Sequence, residues 1–220
     1  MAQATATTSP TEEPRLAMTY EEWLAWPEGE SKQSEWIDGE VVVFMPPSGR
    51  HQDVIGLLFN LLSWYVHTLG LGLVRLAPFE MRLSTRASRE PDLIFLAREH
   101  EERLTPQRLI GAADLVVEVI SEHSVRRDRL EKFAAYAQAG VPEYWLLDPR
   151  PGRQREDFYR LTDEGTYEPV PLDAEGRYHP IVIPGFWFRP AWLRRDPLPN
   201  PLACLAEIAP HLLAREAAAP

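Results

Sequence analysis

Cysteine is almost absent from this chain of 220 residues. Cys204 stands alone, so the sequence contains no disulfide framework and no set of thiolates for a metal site. No apolar run approaches the length of a membrane span, and the N-terminus lacks the apolar core of a secretory signal. These absences argue against a disulfide-stabilised module and a transmembrane protein, so we expect a cytoplasmic location.

An excess of positive charge is also missing, because 23 Lys and Arg against 33 Asp and Glu give a net charge of −10. This balance counts against a broad basic face for non-specific nucleic-acid binding. It still permits a local basic groove, since clustered carboxylates become less negative when a cation binds. Two arginine groups are candidates for such a groove, although each arginine singly is more often a solvated surface residue: Arg126, Arg127 and Arg129, and Arg82, Arg86 and Arg89.

The length and the 45% share of hydrophobic residues suffice for one domain with tails. Residues 1–17 are predicted as a disordered tail, since the first fourteen are rich in Ala, Thr, Glu and Pro. Residues 18–195 are predicted as the domain. Residues 196–220 are predicted as a C-terminal extension with a helix at about 202–214.

The order of elements predicts a single mixed sheet flanked by helices. Asp38-Gly39 between two strand-like runs is a strong hairpin signal. Apolar residues at helical spacing predict a long helix after Ser48 that ends at Gly70. Ser124 is placed to cap a helix from about 125 to 139. The remaining elements are a short helix at about 20–26 and strands at 72–77, 79–84, after Asp92, around Glu118, at 143–148, and in a terminal meander at 155–161, 166–171 and 179–183.

Glu118 lies in the middle of an apolar strand. The run 115–120 is short, β-branched and otherwise apolar, which is typical of a strand buried on both faces. Removal of a carboxylate from water costs several kcal/mol, in rough terms, unless a partner compensates for it. Glu118 therefore needs a metal ion, a cation or a proton, and we favour a functional role over a structural one.

Asp92 directly precedes another apolar strand, which gives a second acid in a similar setting. Two acids on neighbouring strands could hold Mg²⁺ or Mn²⁺, and the carbonyl of Val119 could supply a third oxygen. Asp128 and Lys132 are four residues apart and share one face of the predicted helix. A lysine there can orient an attacking water or offset charge in the transition state. The pattern indicates a hydrolytic metal site.

Several spaced motifs carry a resemblance to a known family. They are Pro91-Asp92, Asp114-Leu-Val-Val-Glu118-Val-Ile-Ser121, Asp128-x-x-x-Lys132, and Tyr136-x-x-x-Gly140-Val141-x-Glu143-Tyr144-Trp145-Leu-Leu-Asp148-Pro149. Together they resemble the Uma-two (Uma2) family of the PD-(D/E)XK nuclease superfamily. Asp38-Gly39-Glu40 and His51 are similar to its N-terminal motif. The resemblance extends from about Met18 to Trp192.

The resemblance implies an α/β (α+β mixed-sheet) fold of restriction-endonuclease type. Its αβββαβ core would carry an N-terminal hairpin and a C-terminal β meander, and the activity would be magnesium-dependent cleavage of DNA. The lysine of the superfamily usually lies two residues after the glutamate, where this chain has Ile120. The resemblance implies that Lys132 on the next helix takes this role. It also implies a homodimer or a higher homo-oligomer.

Several candidate residues keep a second interpretation. Lys132 could be an exposed helical lysine paired with Asp128. His51 could be a ligand or base, or a partly buried histidine at a helix start. Glu40 could be a third carboxylate near the metal or a solvated strand acid. Glu35 and Asp38 are expected to serve the hairpin, and four tryptophans are expected in the core rather than as base-stacking surfaces: Trp36, Trp145, Trp187 and Trp192.

The sequence leaves three functions open. The first is a metal-dependent DNA endonuclease in which Asp92 and Glu118 bind the metal and Lys132 assists the attacking water. The second is an inactive module of the same fold that binds nucleic acid or a protein; the acidic charge and the displaced lysine leave it open, and intact Asp92, Glu118 and Lys132 argue against it. The third is a metal-dependent phosphoesterase that acts on a substrate other than DNA.

Overall fold

Two six-stranded sheets form the framework of this computed structural model, which describes residues 14–26, 34–44 and 47–217. The N-terminal sheet contains, in spatial order, β1 (Arg15–Ala17), β3 (Glu40–Val43), β2 (Ser34–Ile37), β6 (Ala87–Arg89), β5 (Glu80–Ser84) and β8 (Arg108–Ile110). The main sheet contains, in spatial order, β12 (Tyr167–Pro169), β11 (Arg155–Leu161), β10 (Glu143–Asp148), β9 (Leu115–Val119), β7 (Leu93–Ala97) and β4 (Gly72–Leu76).

The α-helices of the described residues are α1 (Tyr20–Leu24), α2 (Gly49–Leu69), α3 (Phe133–Ala139), α4 (Pro201–Ile208) and α5 (Pro210–Ala217). A π-helical turn, Arg127–Lys132, runs directly into α3, and 3-10 turns lie at Arg98–Arg103 and Pro190–Arg194. Ser48 caps the start of α2 by accepting from the backbone N–H of His51, and Gly70 ends it in the left-handed conformation. Within the part of the chain described, no helix is both long and apolar enough to cross a membrane.

The main sheet has the predicted αβββαβ order. Helix α2 leads into β4, β7 and β9, and the helix that ends with α3 leads into β10. β9 and β10 are parallel, as expected when a helix connects them, and the other neighbours in this sheet are antiparallel. The meander continues the sheet through β11 and β12.

The N-terminal sheet was not expected, because the element order suggested one sheet. Its β2–β3 hairpin turns at Asp38 and Gly39, which have φ values of 50° and 86°, as the Asp-Gly signal predicts. β2 then pairs with β6, and β5 pairs with β8. These partners are far apart in the sequence, and local periodicity carries no information about such pairing.

Both faces of the main sheet are buried. Val117 and Val119 point into the core formed with α2, whereas Val116 points into the core shared with α3 and the N-terminal sheet. Because side chains alternate along a strand, Glu118 shares the face of Val116. The fold therefore places Glu118 between the main sheet, α3 and the N-terminal sheet.

The C-terminal segment forms two helices rather than the single helix expected at 202–214. Pro210 separates α4 from α5, and Ala209 before it has left the helical conformation, with φ −145° and ψ 62°. Proline disfavours helical geometry in the residue before it. Cys204, Leu205 and Leu212 belong to the same buried cluster as α2, so this segment completes the core.

Two other boundaries differ from the sequence prediction. Arg15–Ala17, inside the predicted tail of 1–17, form β1 and pair with β3; residues 1–13 lie outside the described part of the chain. The strand predicted at 179–183, all of whose residues are described, is absent, and an isolated bridge joins Tyr178 to Phe188. Pro180 and Pro184 bracket this segment, and proline cannot donate to a ladder.

Candidate active site

Asp92 and Glu118 lie opposite each other across two antiparallel strands. β7 and β9 pair with Leu93 opposite Val117, and the next position in this register sets Asp92 against Glu118. Cross-strand partners project from the same face of a sheet. Both side chains are buried and line one small cavity. The structure thus brings together the two acids that the sequence analysis paired.

Asp92 is oriented by two partners. Its Oδ2 accepts a hydrogen bond from the backbone N–H of Val119 at 2.8 Å, and His51 Nε2 lies 3.2 Å from the same oxygen. His51 is buried near the start of α2 and lines the cavity. Val119 lines the cavity as well. Two more of the candidate residues are therefore at the site.

Glu118 is held by Lys132 and Tyr136. Lys132 Nζ donates to Glu118 Oε1 at 2.8 Å, and the Tyr136 hydroxyl donates to the same oxygen at 2.6 Å. Lys132 has only 2% of its surface exposed, which rules out the interpretation as an exposed helical lysine. Its ion pair with Asp128 does exist, with a Nζ–Oδ1 distance of 3.9 Å, but it is buried.

A wide helical turn carries Asp128 and Lys132 to the site. The helix begins at about residue 125, as predicted, and then adopts the π form over Arg127–Lys132 before α3. Ser124 precedes it, and its hydroxyl oxygen accepts from the backbone N–H of Ser121. Within the turn Asp128 and Lys132 are buried while Leu130 is 63% exposed, the reverse of ordinary amphipathicity. π-turns are frequent at functional sites, since the extra residue re-aims the side chains.

Glu35 is the main residue that the sequence analysis missed. It was assigned to the hairpin, but its carboxylate is fully buried and its Oε1 lies 2.9 Å from Lys132 Nζ. Its other oxygen accepts from Arg89 at 2.9 Å, and the backbone N–H of Glu90 donates to Oε1 at 3.1 Å. The N-terminal sheet thus supplies part of the site. Its strand, Ser34–Ile37, carries no local signal that separates Glu35 from Glu40 in the partner strand.

The buried ionisable groups of the site have pKa values that shift in opposite directions. Burial is the largest cause that raises the pKa of Glu118 to about 8. Neighbouring carboxylates also raise it, whereas the Lys132 ammonium lowers it. Burial would also raise the pKa of Glu35, but Lys132 and Arg89 outweigh it and lower the pKa to about 2. Burial alone would lower the pKa of Lys132, yet Glu118, Glu35 and Asp128 raise it. Lys132 and Glu35 are therefore charged at neutral pH, and Glu118 is mostly protonated.

The donor atoms at the cavity fit a magnesium ion. The cavity has a volume of about 30 Å³, above the roughly 10–15 Å³ that one water molecule needs. The bonds given above use Oδ2 of Asp92 and Oε1 of Glu118, and leave the second oxygen of each carboxylate outside them. No cluster of three or more His, Cys, Asp or Glu among the described residues is arranged to hold a metal. Magnesium usually takes only one or two protein carboxylates and keeps several waters, so this donor set suits it.

Glu40 lies away from this cavity. Its side chain is 49% exposed on β3 and pairs with Arg15 at 3.2 Å. Of the two interpretations of Glu40, the structure favours the solvated strand acid over the third carboxylate near the metal, because its carboxylate is exposed and pairs with Arg15. Asp38 serves the hairpin turn, as expected, and binds Arg86 at 2.6 Å.

The two arginine groups are split by the fold. Arg127 lines the cavity with its guanidinium carbon 3.8 Å from the centre of the Phe44 ring, whereas Arg126 is 84% exposed. Arg129 pairs with Asp157 at 2.8 Å. Arg82, Arg86 and Arg89 likewise diverge, since Arg89 is buried against Glu35 and the others lie near the hairpin.

Trp36, Trp145 and Trp192 are buried and Trp187 packs against the core, as predicted.

Comparison with known proteins gives a family and a fold. Residues 20–192 match the Uma2 family model, which is described as "Putative restriction endonuclease". The uncharacterized protein sll1609 of Synechocystis is 27% identical over 135 residues, or 60% of this chain and 75% of that protein. A crystal structure from Anabaena variabilis, described as "a putative nuclease belonging to DUF820", is 20% identical and has a TM-score of 0.65 over 80% of this chain and 97% of that one. The predicted resemblance and the predicted fold class are both confirmed.

Proposed function

Since the chain belongs to the Uma2 family, we propose that it is a metal-dependent endonuclease that hydrolyses phosphodiester bonds in DNA. The observation that carries this proposal is the meeting of Asp92, Glu118 and Lys132 at one buried cavity. A fold of this kind hosts many functions, so the argument depends on the site rather than on the fold.

Asp92, Glu118 and the carbonyl of Val119 are the groups that would hold Mg²⁺ or Mn²⁺. When bound, the ion would activate a water molecule and neutralise charge on the phosphate. The N–H of Val119 and His51 fix the Asp92 carboxylate, while Tyr136 and Lys132 fix that of Glu118. Both ligands are thus oriented before any ion binds, which lowers the entropic cost of binding.

Lys132 provides a compact positive charge beside the carboxylates. The chain contains two lysines and twenty-one arginines, so a buried lysine at this point is an unusual choice. An ammonium directs its donors freely, whereas a guanidinium is a rigid planar fork. Lys132 can hold the attacking water or stabilise charge that develops on the phosphate. Arg127, whose Nε lies 3.4 Å from Asp128 Oδ1, brings a second cation to the cavity wall near the substrate phosphate.

DNA as substrate, a homodimer or higher homo-oligomer and a cytoplasmic location remain predictions from the sequence. The net charge of −10 makes binding of DNA depend on local cations such as Arg127. A dimer would present two such sites, one for each strand of a duplex. Sedimentation of the protein with and without DNA measures this assembly directly.

A cleavage assay tests the proposal. Supercoiled, linear and single-stranded DNA are incubated with the protein in Mg²⁺, in Mn²⁺ and in chelator, and Glu118→Ala is compared with Glu40→Gln. The first change removes a proposed ligand, and the second removes an exposed carboxylate that lies away from the cavity. Metal-dependent cleavage that Glu118→Ala abolishes and Glu40→Gln retains is the expected result. Equal activity of the two variants would contradict the proposal.

A further inference from the structure

A larger pocket opens beside the candidate active site. Its volume is about 570 Å³, within the usual range for ligand pockets. Pro47, His51 and Asp92 line both this pocket and the small cavity. A group held in the larger pocket therefore lies next to the bond that the carboxylates would act on, and the proposed cleavage chemistry does not itself require such a pocket.

The charges on the pocket wall argue against a phosphate as the occupant. Glu80 and Asp92 bring two negative charges and Arg108 brings one positive charge, so the formal sum is 1 − 2 = −1 without Glu90, whose pKa burial raises to about 8. Arg108 is also paired already, with its Nε 2.9 Å from Glu80 Oε2. Because the arginine of the described lining is engaged with Glu80, this wall offers a phosphate little attraction, whereas a neutral group needs no such cation.

The uncharged part of the wall favours a flat ring with hydrogen-bonding edges. Trp23 and Trp26 line the pocket, and the Trp23 indole is fixed because its N–H donates to Ser34 Oγ at 2.9 Å. Gln52 and Gln107 add two side-chain amides, each of which can both donate and accept. Aromatic faces with amide groups beside them are what unpaired nucleobases stack on and bond to.

We propose that this pocket binds one unpaired nucleobase of the substrate strand, next to the phosphodiester that is cleaved. The proposal rests on the proposed function and narrows its substrate class. A base reaches such a pocket only when it is neither paired nor stacked in a duplex. Single-stranded or locally unpaired DNA is therefore the preferred substrate, with the base against Trp26 and its polar edge at Gln52 and Gln107.

The first test requires no cleavage. Purine and pyrimidine nucleosides are titrated into the protein in chelator, and tryptophan fluorescence is recorded; ribose 5-phosphate is the probe that has a phosphate and no base. We expect the nucleosides to quench the fluorescence and the sugar phosphate to leave it unchanged. Gln107→Ala should weaken nucleoside affinity roughly 3- to 10-fold, the effect of one hydrogen bond.

Gln154→Ala is the matched control, because Gln154 is also exposed but lies outside the pocket wall. Unchanged affinity in this variant, with loss in Gln107→Ala, supports the pocket. Absence of quenching by every nucleoside, or equal loss in the two variants, would overturn it. These outcomes do not depend on whether the protein cuts DNA.

The second test uses single-stranded oligonucleotides in which one abasic position is moved stepwise along the strand, in Mg²⁺ or Mn²⁺. We expect kcat/KM to fall about tenfold when the missing base is at one fixed distance from the cleaved bond, as loss of one stacked base implies. Continuous duplex should be cleaved more slowly. A cleavage rate that does not depend on the abasic position would contradict base binding in the pocket but would leave the proposed nuclease activity standing. Nucleoside binding without any DNA cleavage would support base binding in the pocket and contradict the proposed nuclease activity.

Discussion

Glu35 Oε1 lies 2.9 Å from Lys132 Nζ, so a strand of the N-terminal sheet holds the lysine that the main sheet's helix presents. Lys132 Nζ also lies 2.8 Å from Glu118 Oε1, and one ammonium thus joins carboxylates from both sheets. Arg89 binds the other oxygen of Glu35. The site is completed only when the two sheets pack together, and variants at Glu35 should therefore affect it as strongly as variants in the main sheet.

Lys132→Ala is expected to destabilise the protein by about 3–5 kcal/mol, because removal of one partner leaves a buried charge unpaired. Glu35 would lose the ammonium that most lowers its pKa, so its carboxyl would be either charged without that partner or protonated at a cost in stability. Urea unfolding at pH 7 in chelator measures this change. A loss below about 1 kcal/mol would mean that water reaches the cluster and screens its charges.

Lys132→Arg keeps the charge and should retain most of the stability, yet cleavage is expected to fall by about 100-fold or more. The planar guanidinium cannot place a donor where the ammonium places one. Steady-state kinetics and urea unfolding of the same sample separate the two effects. Arg126→Lys, at an 84% exposed side chain, is the control for exchange of the two cations. Full activity of Lys132→Arg would show that only the charge matters.

Glu118→Gln is expected to leave the metal-free protein as stable as the parent at pH 7, or more stable by about 1–3 kcal/mol. The amide oxygen can still accept from Lys132 and Tyr136, and the amide needs no proton on folding, whereas Glu118 with its pKa of about 8 takes one up. The stabilisation that Mg²⁺ or Mn²⁺ gives should shrink, because ligand-linked stability follows affinity. Thermal melts in chelator and in metal test both statements. A clear loss of stability in chelator would mean that Lys132 binds Glu118 as a structural ion pair.

The stability of the metal-free protein should depend on pH through Glu118. Its pKa is about 8 in the folded protein and near 4.5 in the unfolded chain, so the folded state binds the proton more tightly between these values. Stability contributed by this group is fully present below about pH 4.5 and is lost as pH rises towards 8. The advantage of Glu118→Gln over the parent should therefore grow across this window and then level off. Glu40→Gln gives the baseline, and an advantage that is independent of pH would contradict the shift.

Local sequence signals predicted the main sheet and its two acids. Periodicity marks α2, β9 and β10, and the cost of an unpaired buried carboxylate singles out Glu118 without any knowledge of its neighbours. The position of Tyr136 could also be predicted from the sequence, because it continues the four-residue spacing of Asp128 and Lys132 on one helix face. These features depend on residues that are close in the sequence.

The contribution of the N-terminal sheet could not be predicted in this way. Glu35 and Glu40 are both acids in hairpin strands, and their local sequences do not distinguish them. One is fully buried because Arg89 and Lys132 arrive from distant segments, while the other is exposed beside Arg15. Long-range pairing decided the position of both residues, and for that reason the sequence left the two interpretations of Glu40 open.

Glu35→Gln provides the sharpest test of this arrangement. The carboxylate has a pKa of about 2 in the folded protein against 4.5 in the unfolded chain, so its contribution is present above about pH 4.5 and is lost as pH falls towards 2. The parent should therefore lose stability in acid more steeply than Glu35→Gln, the opposite slope to that of Glu118. At pH 7 the variant should be less stable by about 3–5 kcal/mol, since Lys132 and Arg89 lose a buried partner.

Cleavage by Glu35→Gln separates positioning from general stability. If Glu35 aims the ammonium, kcat should fall well below that of the parent at a temperature where both proteins are folded, while the stabilisation given by Mg²⁺ changes little because Asp92 and Glu118 remain. Glu40→Gln, the same change at an exposed position, should leave both measurements unchanged. Glu35→Asp, which keeps the charge, should recover part of the lost activity. If the folded Glu35→Gln protein has the same kcat as the parent, Glu35 is only a structural partner of Arg89. The N-terminal sheet then contributes nothing to cleavage through this residue.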